Sequence, residues 1–189
     1  SKEDTEVVWK TYKNETYDFS IDYQSDWIVV EENLFSTPTI NIYPASADQE
    51  RSQPYDHFSN VNHVSIYPVG IPTEGLFAQI RPIAVKPDGE NVDQNSRSFM
   101  LGSGDVFAHY ILFNDAPPKW NESGFLWARM KTNNLESRCL RGDVYVEQDQ
   151  CDPLFGDEVV LNGEVNTEHK DTIERIVKSF SFEETFTAD

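Results

Sequence analysis

Short runs of alternating apolar and polar residues recur along this chain, and they constrain its fold more than any other feature. Residues 17–23 alternate over seven positions, and a period of two predicts a strand with one buried face. Residues 106–113 form the most apolar run, whose aromatic and β-branched side chains favour a central strand. Residues 125–131 follow after a loop, so we expect these two runs to pair antiparallel. Further strands are predicted at residues 27–31, 39–43 and 63–68.

The clearest helical pattern lies near the end of the sequence. Ile173, Ile176 and Val177 recur at helical spacing, which predicts a helix over residues 168–179. Since these three side chains share one face, we expect them to be buried together against a sheet. Residues 180–182 then return to strand alternation.

A second, shorter helix is predicted over residues 76–80, with Thr73 as its N-cap. Many strands with few helices indicate the α+β class, with an antiparallel sheet. The length of 189 residues fits one domain. We therefore predict a flexible N-terminal tether over residues 1–6 and a single domain over residues 7–189.

The charge balance excludes two classes of partner. The sequence has 15 basic and 33 acidic residues, for a formal net charge of -18. Such a surface repels phosphate backbones and anionic headgroups, so we expect neither nucleic-acid binding nor electrostatic docking to a membrane. A protein partner with a basic patch remains compatible with this charge. No motif indicates a cofactor.

The first residues suggest how the chain is held at a membrane. Ser1, Lys2, Glu3 and Asp4 resemble the residues that follow the lipidated Cys of surface-exposed bacterial lipoproteins. The resemblance implies an N-terminal lipid anchor as the membrane attachment, because no apolar run approaches the ~20 residues that span a bilayer. We expect an extracytoplasmic location, either periplasmic or at the cell surface as a lipoprotein.

The two cysteines support the same location. Cys139 and Cys151 are close in sequence and flank a short strand-like run. An even number of cysteines in a polar stretch favours a disulfide in an oxidising compartment. The alternative is a pair of unrelated thiols in a cytosolic protein.

Both ends of the sequence resemble the PsbP-like proteins. Residues 19–27 follow that family's opening pattern Phe-x-Ile-x-Tyr-Pro-x-x-Trp, except that Gln24 replaces the proline. Residues 173–182 are similar to its terminal helix and following strand. The resemblance implies an α/β/α sandwich around an antiparallel sheet, and a binding or assembly protein rather than an enzyme. It carries over no binding residue.

Local catalytic motifs are not found, and one histidine defines the alternative to a binding protein. His109 lies within the most apolar run, where burial shifts a histidine pKa. The alternative function is a small hydrolase that uses His109 with nearby carboxylates. A histidine bonded to a neighbour at the edge of the core explains the same position without catalysis.

Five carboxylates crowd one loop, which raises the question of calcium. Asp149 and Asp152 lack the alternating oxygens and the central glycine of an EF-hand loop. A solvated acidic loop is therefore favoured over a calcium site. The five are Glu147, Asp149, Asp152, Asp157 and Glu158.

Aromatic residues in predicted loops are the candidate contacts for a partner. Trp120 follows two prolines and either anchors a partner or covers the end of the sheet. Tyr55 and Phe58 are further candidates. The sequence thus favours a non-catalytic binding or assembly module that recognises a protein partner through loops. The longest predicted loops are residues 44–62, 86–97 and 114–124.

Overall fold

A computed structural model describes residues 6–50, 61–72 and 76–184 of the chain. The predicted tether at residues 1–6 lies almost wholly outside the described residues, as do Tyr55, Phe58 and Thr73. Within the described residues the regular elements, numbered in chain order, are β1 (Trp9–Asn14), β2 (Phe19–Gln24), β3 (Trp27–Leu34), β4 (Thr37–Pro44), β5 (His63–Tyr67), β6 (Gln79–Pro82), β7 (Arg97–Met100), β8 (Val106–Ile111), β9 (Phe125–Arg129), β10 (Thr132–Arg141), β11 (Val144–Val146), β12 (Glu158–Val165), α1 (Lys170–Ser179) and β13 (Ser181–Phe182).

The strands form three antiparallel sheets. The largest has seven strands in the order β3-β4-β5-β9-β8-β7-β6, and the smaller ones have the orders β1-β2-β13 and β11-β10-β12. The predicted antiparallel pairing of β8 with β9 is confirmed, with His109 opposite Ala128 and Ile111 opposite Leu126. Hairpins build most of the large sheet, because successive strands such as β3 and β4 pair directly.

The main core lies between the seven-stranded sheet and α1. Ile173, Ile176 and Val177 are buried and pack with Ile66 and Leu126 of the sheet. The prediction that these three side chains are buried together on one face of an antiparallel sheet is therefore confirmed. The amphipathic spacing of the helix is what directs this face inward.

Aromatic side chains from both ends of the chain extend this core. Phe19 of β2 stacks on Phe180 after α1, with ring centroids 5.4 Å apart. Phe180 in turn stacks on Phe113, at 5.1 Å. The sheet β1-β2-β13 therefore joins the N-terminal and C-terminal segments over the main core, which explains why both ends carry alternating aromatic residues.

The predicted α+β class and its α/β/α sandwich are wrong, since the described chain is β-rich, with three antiparallel sheets and one α-helix. The described residues hold one α-helix, and the second helix that an α/β/α sandwich requires is not among them. Residues 76–80, predicted as a helix, are irregular up to β6, an edge strand that pairs with β7. Residues 132–134, which follow a predicted strand, begin β10. Local sequence favoured the helix at 76–80, but pairing with β7 decides its conformation.

The sheet β11-β10-β12 lies beside the β6 end of the large sheet. The Gly102 backbone N–H donates to the Leu161 carbonyl at 2.7 Å. Gly102 is needed for this approach, because a Cβ there would lie 2.6 Å from Asn162 Oδ1. β12 also contacts β6. This neighbourhood of two sheet edges forms the surface described below. No described helix is long and apolar enough to cross a membrane.

Candidate functional site

Trp120 is part of the core. Its side chain is 6% exposed, and its indole Nε1 donates to the Tyr17 carbonyl at 2.8 Å. Its ring meets those of Phe19 and Phe182 edge-on, at 6.1 and 5.1 Å. The structure therefore places Trp120 among the aromatic rings of the core, where little of the indole is exposed.

His109 is buried under α1, next to a serine. Its Nδ1 lies 2.7 Å from the Ser98 hydroxyl oxygen, and both side chains are buried. Burial lowers the pKa of His109 to about 4, an effect that the nearby Glu174 opposes and Lys170 reinforces. The histidine is therefore neutral at physiological pH.

A serine beside a histidine is the start of a nucleophile-base pair, but access to this one is restricted. The cavity beside His109 has a volume of about 10 Å³, which is room for at most one water molecule. Glu174, the carboxylate that lines this cavity, is bonded to Lys170 at 2.8 Å. The geometry thus favours a structural hydrogen bond over a hydrolase site.

Cys139 and Cys151 form the disulfide, with their Cα atoms 5.9 Å apart. Cys139 lies in β10 opposite Val146 of β11 and Val159 of β12. Cys151 follows the short 3-10 segment Gln148–Gln150. The bond therefore fixes the loop before β12 to the central strand of its sheet.

Asp157, from the acidic loop, is occupied by an ion pair. Arg141 donates to it from Nε at 2.9 Å and from Nη2 at 2.8 Å, and the Asp152 backbone N–H donates at 2.8 Å. These hydrogen bonds hold the pKa of Asp157 below its usual range.

One group of three possible metal ligands is found within the described part of the chain: the sulfurs of Cys139 and Cys151 with the carboxylate of Asp157. The two sulfurs are bonded to each other, and Arg141 already occupies the carboxylate. This arrangement offers no ready position for calcium.

An open cleft of about 540 Å³ separates β6 and the segment before it from the start of β12. Leu76, Phe77 and Ile80 line one side, Leu154 and Val159 line the other, and Phe99 also contributes. We call this the apolar cleft. It draws on three segments that are far apart in sequence, so it exists only in the folded chain.

A single 3-10 segment, Pro153–Phe155, presents apolar side chains at the edge of the apolar cleft. Leu154 is 71% exposed and Phe155 is 89% exposed. Gly156 ends the segment in the left-handed region, with φ 103°, a conformation that glycine adopts at low cost. We call residues 153–156 the cleft turn. Large apolar groups at this exposure are typical of contact sites when they cluster.

A hydrogen bond joins the two sides of the apolar cleft, and an arginine lines it. Gln79 Nε2 donates to Glu158 Oε1 at 2.8 Å, joining β6 to β12. The guanidinium of Arg97 lies over the Tyr110 ring at 4.7 Å and the Phe99 ring at 5.6 Å. Arg97 lines the cleft and supplies a cation there.

Sequence reasoning did not predict the apolar cleft. The adjacent Leu154 and Phe155 interrupt a stretch of polar residues. This pair of large apolar residues was the one local pattern that could have indicated an exposed contact site. Residues 76–80 were assigned to a helix, so their exposure at a sheet edge was not foreseen.

Comparison with known proteins identifies no relative. No protein-family model, no curated protein and no solved structure matches this chain. The resemblance to PsbP-like proteins thus stays a prediction, and functional inference depends on the geometry of the molecule.

Proposed function

We propose that this protein is a non-catalytic binding module that recognises an apolar segment of a protein partner in the apolar cleft. The observation that carries the proposal is a cleft of about 540 Å³ that exposed Leu154 lines, with the still more exposed Phe155 as the next residue in the chain. Aromatic and aliphatic groups that enter a pocket dominate binding energy at protein interfaces. The buried pair of Ser98 and His109 does not favour the hydrolase alternative.

The charge of the chain indicates which partner fits. With a net charge of -18, two copies repel each other, so self-association through the cleft is disfavoured. A partner with basic residues beside its apolar segment is attracted instead, which raises its association rate at low salt. The proposed ligand is therefore an apolar peptide segment with lysine or arginine next to it.

We also propose that the module works outside the cytoplasm, held to a membrane by an N-terminal lipid. The disulfide supports the location, because such bonds persist in oxidising compartments. Mass spectrometry of the native protein tests the anchor. An N-terminus that carries no lipid would refute it.

Selection from a random peptide library against the oxidised protein tests the binding proposal. We expect the enriched peptides to combine aromatic or aliphatic residues with lysine or arginine. Their affinity should fall as salt rises from 0.1 M to 1 M, since the screening length shrinks from ~10 Å to ~3 Å.

The decisive variant is Leu154→Ser with Phe155→Ser. We expect it to bind the enriched peptides about tenfold more weakly or worse, the effect of losing roughly 1.4 kcal/mol. Val7→Ser with Val8→Ser is the matched control, because these residues are 53% and 54% exposed and lie outside the residues that line the cleft. Equal binding to both double variants would refute the proposed function.

A further inference from the structure

We propose that the Cys139–Cys151 disulfide is a redox switch for the apolar cleft: its reduction releases the cleft turn and weakens partner binding. This inference rests on the proposed function, because it names how that same site is regulated. Residues 152–157 are the segment affected, and β10 is the rigid element to which they are tied.

The bond ties the N-terminal end of residues 152–157 to β10, and the ion pair between Asp157 and Arg141 ties the C-terminal end. Cys139 is buried in β10, the central strand of the sheet β11-β10-β12. One residue, Asp152, separates Cys151 from the cleft turn. The disulfide therefore transmits the rigidity of the sheet directly to the segment that carries Leu154 and Phe155.

Burial contributes little to holding the cleft turn in place. Neither of the 3-10 segments Gln148–Gln150 and Pro153–Phe155 contains a buried residue, so burial of apolar surface does not hold them in place. Arg141 bonds Asp157 and, at 3.2 Å, the Gln150 carbonyl, but its side chain is 61% exposed. Its partner Asp157 is 5% exposed and accepts two guanidinium hydrogen bonds, so this ion pair stays in place after reduction and holds the C-terminal end of the segment. Reduction is therefore expected to free mainly the part of the segment that precedes Asp157.

The two sulfurs differ in their accessibility, which sets the direction of attack. Cys139 is buried, whereas Cys151 is partly exposed. A thiolate of a dithiol reductant attacks Cys151 Sγ, forms a mixed disulfide and releases Cys139 as a thiolate. The second thiol of the reductant then attacks the mixed disulfide and releases Cys151. Two electrons and two protons pass from the dithiol, which becomes a disulfide, to the two cysteines, which become thiols.

Hydrogen exchange measures the opening without any ligand. In the oxidised chain the N–H groups of Phe155, Gly156 and Asp157 donate to backbone carbonyls of the same loop. After reduction with a dithiol we expect these three amides to lose their protection and to exchange at nearly the rate of unprotected amides. The amide of Ile173 in α1 donates to the His169 carbonyl and is the internal control. Its exchange should accelerate only as far as overall stability falls when the cross-link is lost, so it should stay protected while the amides of the cleft turn do not.

Affinity for the tightest peptide from the library selection measures the functional effect. Reduction should weaken binding by about tenfold or more, and the variant Cys139→Ser with Cys151→Ser should bind as weakly without reductant. Adding dithiol to this variant should change nothing further. Unchanged exchange in residues 152–157 would overturn the switch, and so would faster exchange with unchanged affinity.

The two proposals fail in different ways. If the oxidised chain binds its peptides through Leu154 and Phe155 but ignores reduction, the proposed function stands and the switch is refuted. If exchange accelerates while neither form binds peptides through these residues, the proposed function is refuted, and the switch as its regulator is refuted with it.

Discussion

Acidification should destabilise this protein through His109. The folded chain holds this side chain neutral, because burial lowers its pKa to about 4 from the ordinary value of 6.5. The unfolded chain binds a proton already below pH 6.5, so it gains protons that the folded chain does not. Stability from this group is therefore complete above pH 6.5 and is lost as the pH falls toward 4.

The two pKa values set the size of the loss. Integrating the linkage relation gives about 2 kcal/mol at pH 5 and about 3 kcal/mol at pH 4, relative to neutral pH. The variant His109→Asn removes the titration and keeps a polar side chain at this position. Carboxylates titrate in both proteins, so their contribution cancels when the two pH profiles are subtracted.

Urea unfolding of both proteins between pH 4 and pH 7.5 measures this difference. We expect the unmodified protein to lose about 2 kcal/mol more than His109→Asn between neutral pH and pH 5. Parallel profiles would refute the reasoning, because they would mean that His109 takes up a proton as easily in the folded chain as in the unfolded one.

Three substitutions test the core by urea unfolding at neutral pH. Trp120→Ala should lower the free energy of unfolding by about 3–5 kcal/mol, since the indole is buried among aromatic rings. An unchanged free energy of unfolding would contradict this burial. Ile176→Ala should cost about 2–5 kcal/mol, because Ile176 is fully buried, and a cost below 1 kcal/mol would contradict its packing. Arg129→Met should stabilise the chain by about 1–3 kcal/mol. Burial lowers the pKa of Arg129 to about 10, and its Nε has no hydrogen-bond partner among the described residues. Destabilisation would show that its contacts with Thr132 and the Phe107 ring outweigh the cost of burying the charge.

Elements with one buried face were predictable from sequence, and elements without one were not. β2 and α1 alternate or repeat with the period of their own geometry, because each presents a regular face to the core. β10 is exposed along most of its length and carries mainly polar residues, so it has no apolar period to detect. β6 has only four residues, one of them a proline, and its pairing with β7 is what makes it a strand.

Sites formed by residues close in sequence were predictable, and sites formed by distant segments were not. The disulfide joins residues 12 apart in sequence, and local composition was enough to predict it. Trp120 packs against Phe182 from the end of the chain, a contact that no local pattern indicates. The apolar cleft required three distant segments to meet, which is why exposed Leu154 was not recognised as part of a site.

The proposed binding function agrees with how polar and apolar groups are distributed among the described residues. His109 and Asp157, the groups with the chemistry to act on a substrate, are each bonded within the protein, to Ser98 and to Arg141. Phe155, which has no such chemistry, is the group most exposed to a partner. A side chain that is 89% exposed adds little to the stability of its own chain, since it leaves most of its apolar surface in water. On the proposed function, we therefore expect substitutions at the cleft turn to weaken binding while the fold remains intact.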